Sequence, residues 1–168
     1  SEDNNVSLIT GNNFQNGQWR GDASYYFSKY NHCWGWATWK DRWENLFDNK
    51  MINWPEYKST KKFKEKFKFR RELSYWKERF NFHYKNLDKG TWDYPFLLNH
   101  FYFEKKSIVP KKNLIKNIGY DISTSINPKK TSNLQTFKIT FPLQHPLSLS
   151  GNDSYDSFCS KGLFSKSE

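Results

Sequence analysis

Asp93 is the carboxylate with the most chemistry open to it. It stands between Trp92 and Tyr94, after Thr91 and before Pro95, a grouping that reads as the first turn of a helix with Thr91 as N-cap. The helix N-terminus favours the ionised carboxylate, and flanking aromatic rings raise its pKa by desolvation. A carboxylate held between those two influences can take a proton from a hydroxyl. The same position equally suits a carboxylate that only stabilises the helix. The second group is aromatic: Trp34, Trp36, Trp39 and Trp43 fall close together, with Gly35 between the first two. A glycine wedged between two indoles implies a sharp turn or a close approach of backbone. Either an aromatic core or a ligand wall could use such a string.

The elements that must position these residues follow from patterning. Val6–Thr10 reads as a short buried strand, and Gly11-Asn12-Asn13 as turn residues at its C-terminal end, where open α/β sheets bind ligands. Residues 14–24 read as a surface loop carrying Trp19, Arg20 and Asp22, and Tyr25–Ser28 as a second strand. Apolar positions at 36, 39, 43 and 46/47 predict an amphipathic helix starting at Trp36. Trp39 and Trp43 then face the core, whereas Trp34 and Trp36 at the helix mouth are divided between core and site. Phe63 and Phe67 predict a helix over 58–71 with a basic outer face. Leu73, Trp76, Phe80 and Tyr84 continue a second stripe towards 86–90. Phe96, Leu97, His100 and Phe101 form the buried side of the helix that Asp93 opens, with His100 a core or boundary residue. Residues 107–110 are a strand stopped by proline, and 113–119 an apolar segment ending in a turn. Residues 1–145 are expected to form one domain, and 146–168 a serine-rich, mobile tail.

The chain has 168 residues, enough for one domain with a core. Aromatic residues are 20 % of it, so that core is expected to be aromatic. Cys33 and Cys159, the only cysteines, have no metal-ligand spacing, which argues against a disulfide framework or zinc site. A reducing, cytoplasmic setting is expected. The formal charge of +10 favours anionic partners such as a diphosphate compound or an anionic membrane surface. No phosphate loop, GxGxxG, GxSxG or HExxH is present. Nor is there an Asp-x-Asp or Glu-Asp-Asp string for a divalent cation, so no metal ligand is assigned.

Thr10-Gly11-Asn12-Asn13-Phe14, Tyr25-Tyr26-Phe27-Ser28-Lys29-Tyr30, Trp34-Gly35-Trp36-Ala37-Thr38-Trp39 and Trp43 stand in this order. Trp92-Asp93-Tyr94, Pro110, Asn113-Leu114 and Asn117-Ile118-Gly119-Tyr120 follow. Together, over about 6–126, they resemble bacterial nucleotide-diphospho-sugar transferases of the glycosyltransferase family-2-like GT-A group. More distantly, the layout is similar to that of N-acetylglucosaminyltransferase I. The resemblance implies an α/β fold, the C-terminal, acceptor-side portion of a GT-A domain: a mixed sheet with flanking amphipathic helices. It implies metal-dependent inverting transfer from a nucleotide-sugar to a glycan or lipid-linked acceptor in polysaccharide biosynthesis, with a divalent cation (Mn or Mg) in the full-length enzyme. Carried over by position, Asp93 is the catalytic base. Trp34, Gly35 and Trp36 wall the donor sugar, and Trp92, Asn12 and Asn13 are donor- or acceptor-binding.

The chain departs from the family at several points. The nucleotide pocket and acidic metal motif are expected to precede Ser1, Asp121 and Ser125 replace a glycine and a histidine, and Pro95 replaces a polar residue. These residues alone are therefore expected not to turn over a nucleotide-sugar. A cytoplasmic enzyme, peripheral on the inner membrane, fits this reading. The competing reading is a non-catalytic basic and aromatic module that binds single-stranded nucleic acid or carbohydrate. The lack of any RNP, KH or helix-turn-helix signature weighs against nucleic acid.

Overall fold

Val6–Thr10 (β1) is mostly β-branched and apolar, the composition of a strand, and all of it but Ile9 is buried. In the computed structural model, which describes residues 4–18, 21–116, 134–148 and 153–163, it lies inside a four-stranded sheet. Tyr25–Ser28 (β2), Trp36–Ala37 (β3) and Lys106–Pro110 (β4) complete that sheet in the order β2-β4-β1-β3. The central pair β1 and β4 is parallel, and the outer strands run antiparallel to their neighbours. The carboxyl ends of β1 and β4 therefore open at one edge of the sheet. The fold is α/β with a mixed sheet and flanking helices, as expected. Trp19, Arg20, the 117–120 string, Asp121 and Ser125 lie outside the described residues.

Trp36 does not begin a helix. It pairs with Thr10 as the first residue of β3, because Gly35 turns the chain with φ +59° and delivers it to the free edge of β1. The helix starts four residues later, as α1 (Lys40–Leu46), with Trp39 as N-cap. Trp39 is half-buried rather than core, its ring beneath the Arg42 guanidinium at 5.7 Å. Trp43 packs as the spacing predicts, but Trp36 packs with it: their rings stack 5.8 Å apart. Around buried Leu8, Leu46 and Phe96 these two join Phe47 and Trp92 in one cluster.

The single helix predicted over 58–71 is broken. Within that span lie α3 (Lys61–Glu65) and only the start of α4 (Arg70–Lys85), and a short α2 (Trp54–Tyr57) precedes them. Thr60 is the cause at one break, its hydroxyl accepting the Phe63 N–H at 3.1 Å as a side-chain N-cap. Phe63 and Phe67 are nonetheless both core, with Trp54, Trp76, Phe80 and Phe101.

Helix α5 (Asp93–Tyr102) starts at Asp93, and its N-cap is Trp92 rather than Thr91. Pro95, in the first turn, withholds an N–H that has no intrahelical acceptor there. Two polar ties fix α5 in place. Asn99 donates to the Leu46 carbonyl at 2.9 Å, and His100 Nδ1 is 2.8 Å from Ser7 Oγ on β1. His100 is fully buried, and burial holds its pKa down at about 3.

Within the serine-rich segment 146–168, Asp153–Leu163 form a helix, α6. This helix has little apolar surface and docks through polar and aromatic groups. Tyr155 stacks on Tyr26 of β2 at 4.0 Å. Asp156 accepts from the Ser28 hydroxyl at 2.6 Å and from the Lys29 N–H at 3.1 Å. Among the described residues no helix is long and apolar enough to cross a membrane.

Candidate functional site

The loop after β1 and the Cys33–Trp36 segment are joined along their backbones. Gly11 N–H donates to the Gly35 carbonyl at 2.8 Å. Trp34 N–H donates to Asn12 Oδ1 at 3.2 Å, and the Thr10 hydroxyl donates to the same oxygen at 2.6 Å. Buried Asn12 thus acts on the tryptophan segment through its backbone. Its Nδ2 is buried with no hydrogen-bond partner among the described residues. Gly35 has both a positive φ and a crowded neighbour: a Cβ there would stand 2.9 Å from Ile115 Cγ2. Only glycine satisfies both conditions without strain.

The result is an open cleft of about 440 Å³ lined by Cys33, Trp34, Gly35, Trp36, Ile115 and Lys116. It lies at the carboxyl edge of the parallel strands, where the chain continues from β1 and β4. Trp34 is half-buried and meets Phe14 edge-on at 5.5 Å. Trp36 presses on Trp92 with ring centroids 4.2 Å apart.

Asp93, from another part of the chain, touches the cleft's lining at Cys33. Its Oδ2 is 3.9 Å from Cys33 Sγ, its carbonyl accepts from Asn31 Nδ2 at 3.2 Å, and its Oδ1 accepts the Thr91 hydroxyl. The carboxylate is half-buried. Burial, followed by the Asp93 charge, pushes the Cys33 thiol up to about 11, so at neutral pH it is a proton-bearing neighbour of Asp93. Next to it His32 is pushed down to about 4 by burial and is neutral, its ring edge-on to Phe14 at 5.1 Å.

Of the residues singled out in the sequence, Trp34, Gly35, Trp36, Trp92 and Asp93 come together, and Asn12 supports them from behind. Asn13 does not join them. Its amide donates to the Pro110 and Lys111 carbonyls at 2.6 and 3.1 Å and its oxygen accepts the Gln15 N–H at 2.7 Å. It borders a different hollow of about 280 Å³ with Lys111, Lys112 and Asn113. Its work is to fasten the two parallel strands where they end. Asn113 answers it by accepting the Asn13 N–H at 3.1 Å.

Three residues of the cleft were missed in the sequence: Cys33, Ile115 and Lys116. None gave a local signal, because the cleft joins segments far apart in the chain. Asn113, singled out in the sequence, belongs with Asn13 instead: each stands three residues beyond the end of a parallel strand.

Comparison with protein-family models, with curated proteins and with solved structures finds no match.

Proposed function

We propose that this chain is the acceptor-side part of an inverting, nucleotide-sugar-dependent glycosyltransferase of the GT-A type. One observation carries the reading. The Trp92–Asp93 pair that opens α5 lies against the Gly-Trp segment, with Asp93 Oδ2 3.9 Å from Cys33 Sγ and the Trp36 and Trp92 rings 4.2 Å apart. A base beside an aromatic sugar wall, at the carboxyl edge of parallel strands, is the arrangement that such transfer needs.

In this reading the donor sugar rests in the Cys33–Trp36 cleft and the acceptor hydroxyl approaches Asp93. The hydroxyl oxygen attacks the anomeric carbon as its proton passes to the Asp93 carboxylate. The bond from that carbon to the diphosphate breaks, and the nucleoside diphosphate leaves with the electron pair. Inversion follows because attack and departure occur on opposite faces. Lys116 at the cleft adds positive charge on the side open to a diphosphate. The divalent ion that this chemistry commonly uses does not fit the residues at hand: among those described, no group of three His, Cys, Asp or Glu could hold one. The exposed lysines and arginines of 61–71 would suit a peripheral position at an anionic membrane surface.

The aromatic cleft also supports a second reading, a carbohydrate-binding module without chemistry. Asp93→Asn separates the two in the enzyme assayed with its nucleotide-binding half. As a general base, Asp93 is worth about 10²–10⁴-fold in kcat, so its loss should bring transfer close to background with an unchanged melting temperature. Full activity in Asp93→Asn would reduce Asp93 to a helix-terminal carboxylate. Sugar binding without any turnover by the unsubstituted enzyme would favour the module.

A further inference from the structure

Trp92 also borders a second cavity. This one measures about 220 Å³ and is lined by Phe47, Asn49, His83, Leu87, Trp92 and Pro95. The two cavities therefore adjoin across a pair of rings, Trp36 walling one and Trp92 the other. Asp93 follows Trp92 directly, and its carboxylate reaches Cys33 of the first cavity.

His83 is one of the polar residues lining the second cavity. It is 8 % exposed, and its ring is held flat against Tyr94 at 3.9 Å and 19°. Its Nδ1 is buried with no hydrogen-bond partner among the described residues. Such orphaned atoms are exceptions in folded proteins. Gly90, on the rim of the same cavity, adds to this: the space where a Cβ would stand is 3.2 Å from His83 Nδ1. A side chain at position 90 would crowd that nitrogen, and glycine avoids this.

We propose that this cavity is an acceptor subsite that holds a single neutral pyranose ring. Drug-sized ligands fill about 300–1,000 Å³, so a cavity below that range suits one ring. A pyranose offers an apolar C–H face and a rim of hydroxyls. The cavity offers Trp92, Phe47, Leu87 and Pro95 for the face, and His83, Asn49 and the Thr91 hydroxyl on its rim for the hydroxyls. Burial lowers the pKa of His83, and the charges of Asp93 and Arg79 act on it in opposite senses, so the imidazole is neutral near pH 7 and can accept from a hydroxyl. The acceptor role rests on the transferase reading, whereas the binding of a ring does not.

The test is a titration of the full chain with methyl β-D-glucopyranoside, methyl β-D-galactopyranoside and methyl N-acetyl-β-D-glucosaminide, followed by NMR on the His83 ring and Trp92 indole signals. The ligand efficiency of small molecules puts Kd on the order of millimolar for one ring. At least one glycoside should shift both signals saturably. Leu87→Trp, made at a position 39 % exposed on the rim, should fill the cavity without disturbing the core and weaken that binding at least about tenfold. His83→Phe keeps the stacking on Tyr94 and removes the nitrogen, so it should weaken binding about tenfold as well. Three results would overturn the subsite: no shift at His83 and Trp92 with any glycoside, shifts confined to Trp34 and Trp36, or binding undiminished in Leu87→Trp. The assay uses no donor, so its failure is distinct from a failure of the Asp93→Asn experiment.

Discussion

Gly35 and Asn13 show how different two site-adjacent residues can be. Gly35 combines a φ of +59° with Ile115 packed where a Cβ would stand, so Gly35→Ala meets both backbone strain and a clash. The expected cost is about 1–3 kcal/mol, read as a lower urea midpoint, together with weaker sugar binding as Ile115 is displaced into the cleft. Asn13→Ala leaves the Pro110 carbonyl and the Gln15 N–H without their side-chain partner. Its expected cost is about 1–3 kcal/mol, with glycoside affinity unchanged, because Asn13 borders a different hollow. A loss of affinity in Asn13→Ala beyond its loss of folded protein would return it to the site. At this scale the sequence was informative where the signal was local. Asp93 in a first turn and Gly35 between indoles were legible from neighbours alone. The meeting of Cys33 with Asp93 was not, since a sixty-residue separation leaves no periodic trace.

The elements repeat that contrast. β1, β2 and β4 were legible because apolar runs bounded by turn residues specify strands by composition. β3 was not: two residues form a strand only because Ile9 and Thr10 offer a free edge. The predicted basic helix was right in its buried phenylalanines and wrong in its continuity, since Thr60 caps a new helix where periodicity alone ran on. Helix α6 is the clearest case of tertiary context overriding composition. Its Asp156 is buried among groups of β2, its pKa raised by desolvation and drawn back by the Ser28 and Lys29 hydrogen bonds. Asp156→Ala removes the acceptor of both bonds and should destabilise the protein by about 1–3 kcal/mol. Protease susceptibility should rise first within 153–163, because this helix has few apolar contacts to hold it once the carboxylate is gone. Cleavage elsewhere, with 153–163 still protected, would show that stacking of Tyr155 on Tyr26 alone suffices to dock it.

For the molecule as a whole, the buried histidines set the acid limit of stability. His32 and His100 lie in different places, one beside the cleft and one on the sheet-facing side of α5, and burial lowers their pKa values from 6.5 to about 4 and about 3. The unfolded chain binds protons at these sites from pH 6.5 downwards, while the folded protein resists binding them until pH falls to those lower values. Stability is therefore complete above pH 6.5 and declines as pH falls, each site contributing a slope of about 1.4 kcal/mol per pH unit within its window. His83 acts in the same direction. Asp156 acts in the opposite sense: its raised pKa means that the folded protein takes up its proton first on acidification. One such group offsets at most one histidine, and only between 3.8 and its own raised pKa. Urea unfolding between pH 7 and 5, above the range where ordinary carboxylates titrate, should therefore show a falling midpoint at constant m-value. His32→Gln, at a position with no ordered partner for its Nε2 among the described residues, should flatten that fall by about one proton's worth. A midpoint independent of pH across this range would mean that His32 and His100 are protonated in the folded protein, and that the dry aromatic interior formed by α4, α5 and the sheet admits water.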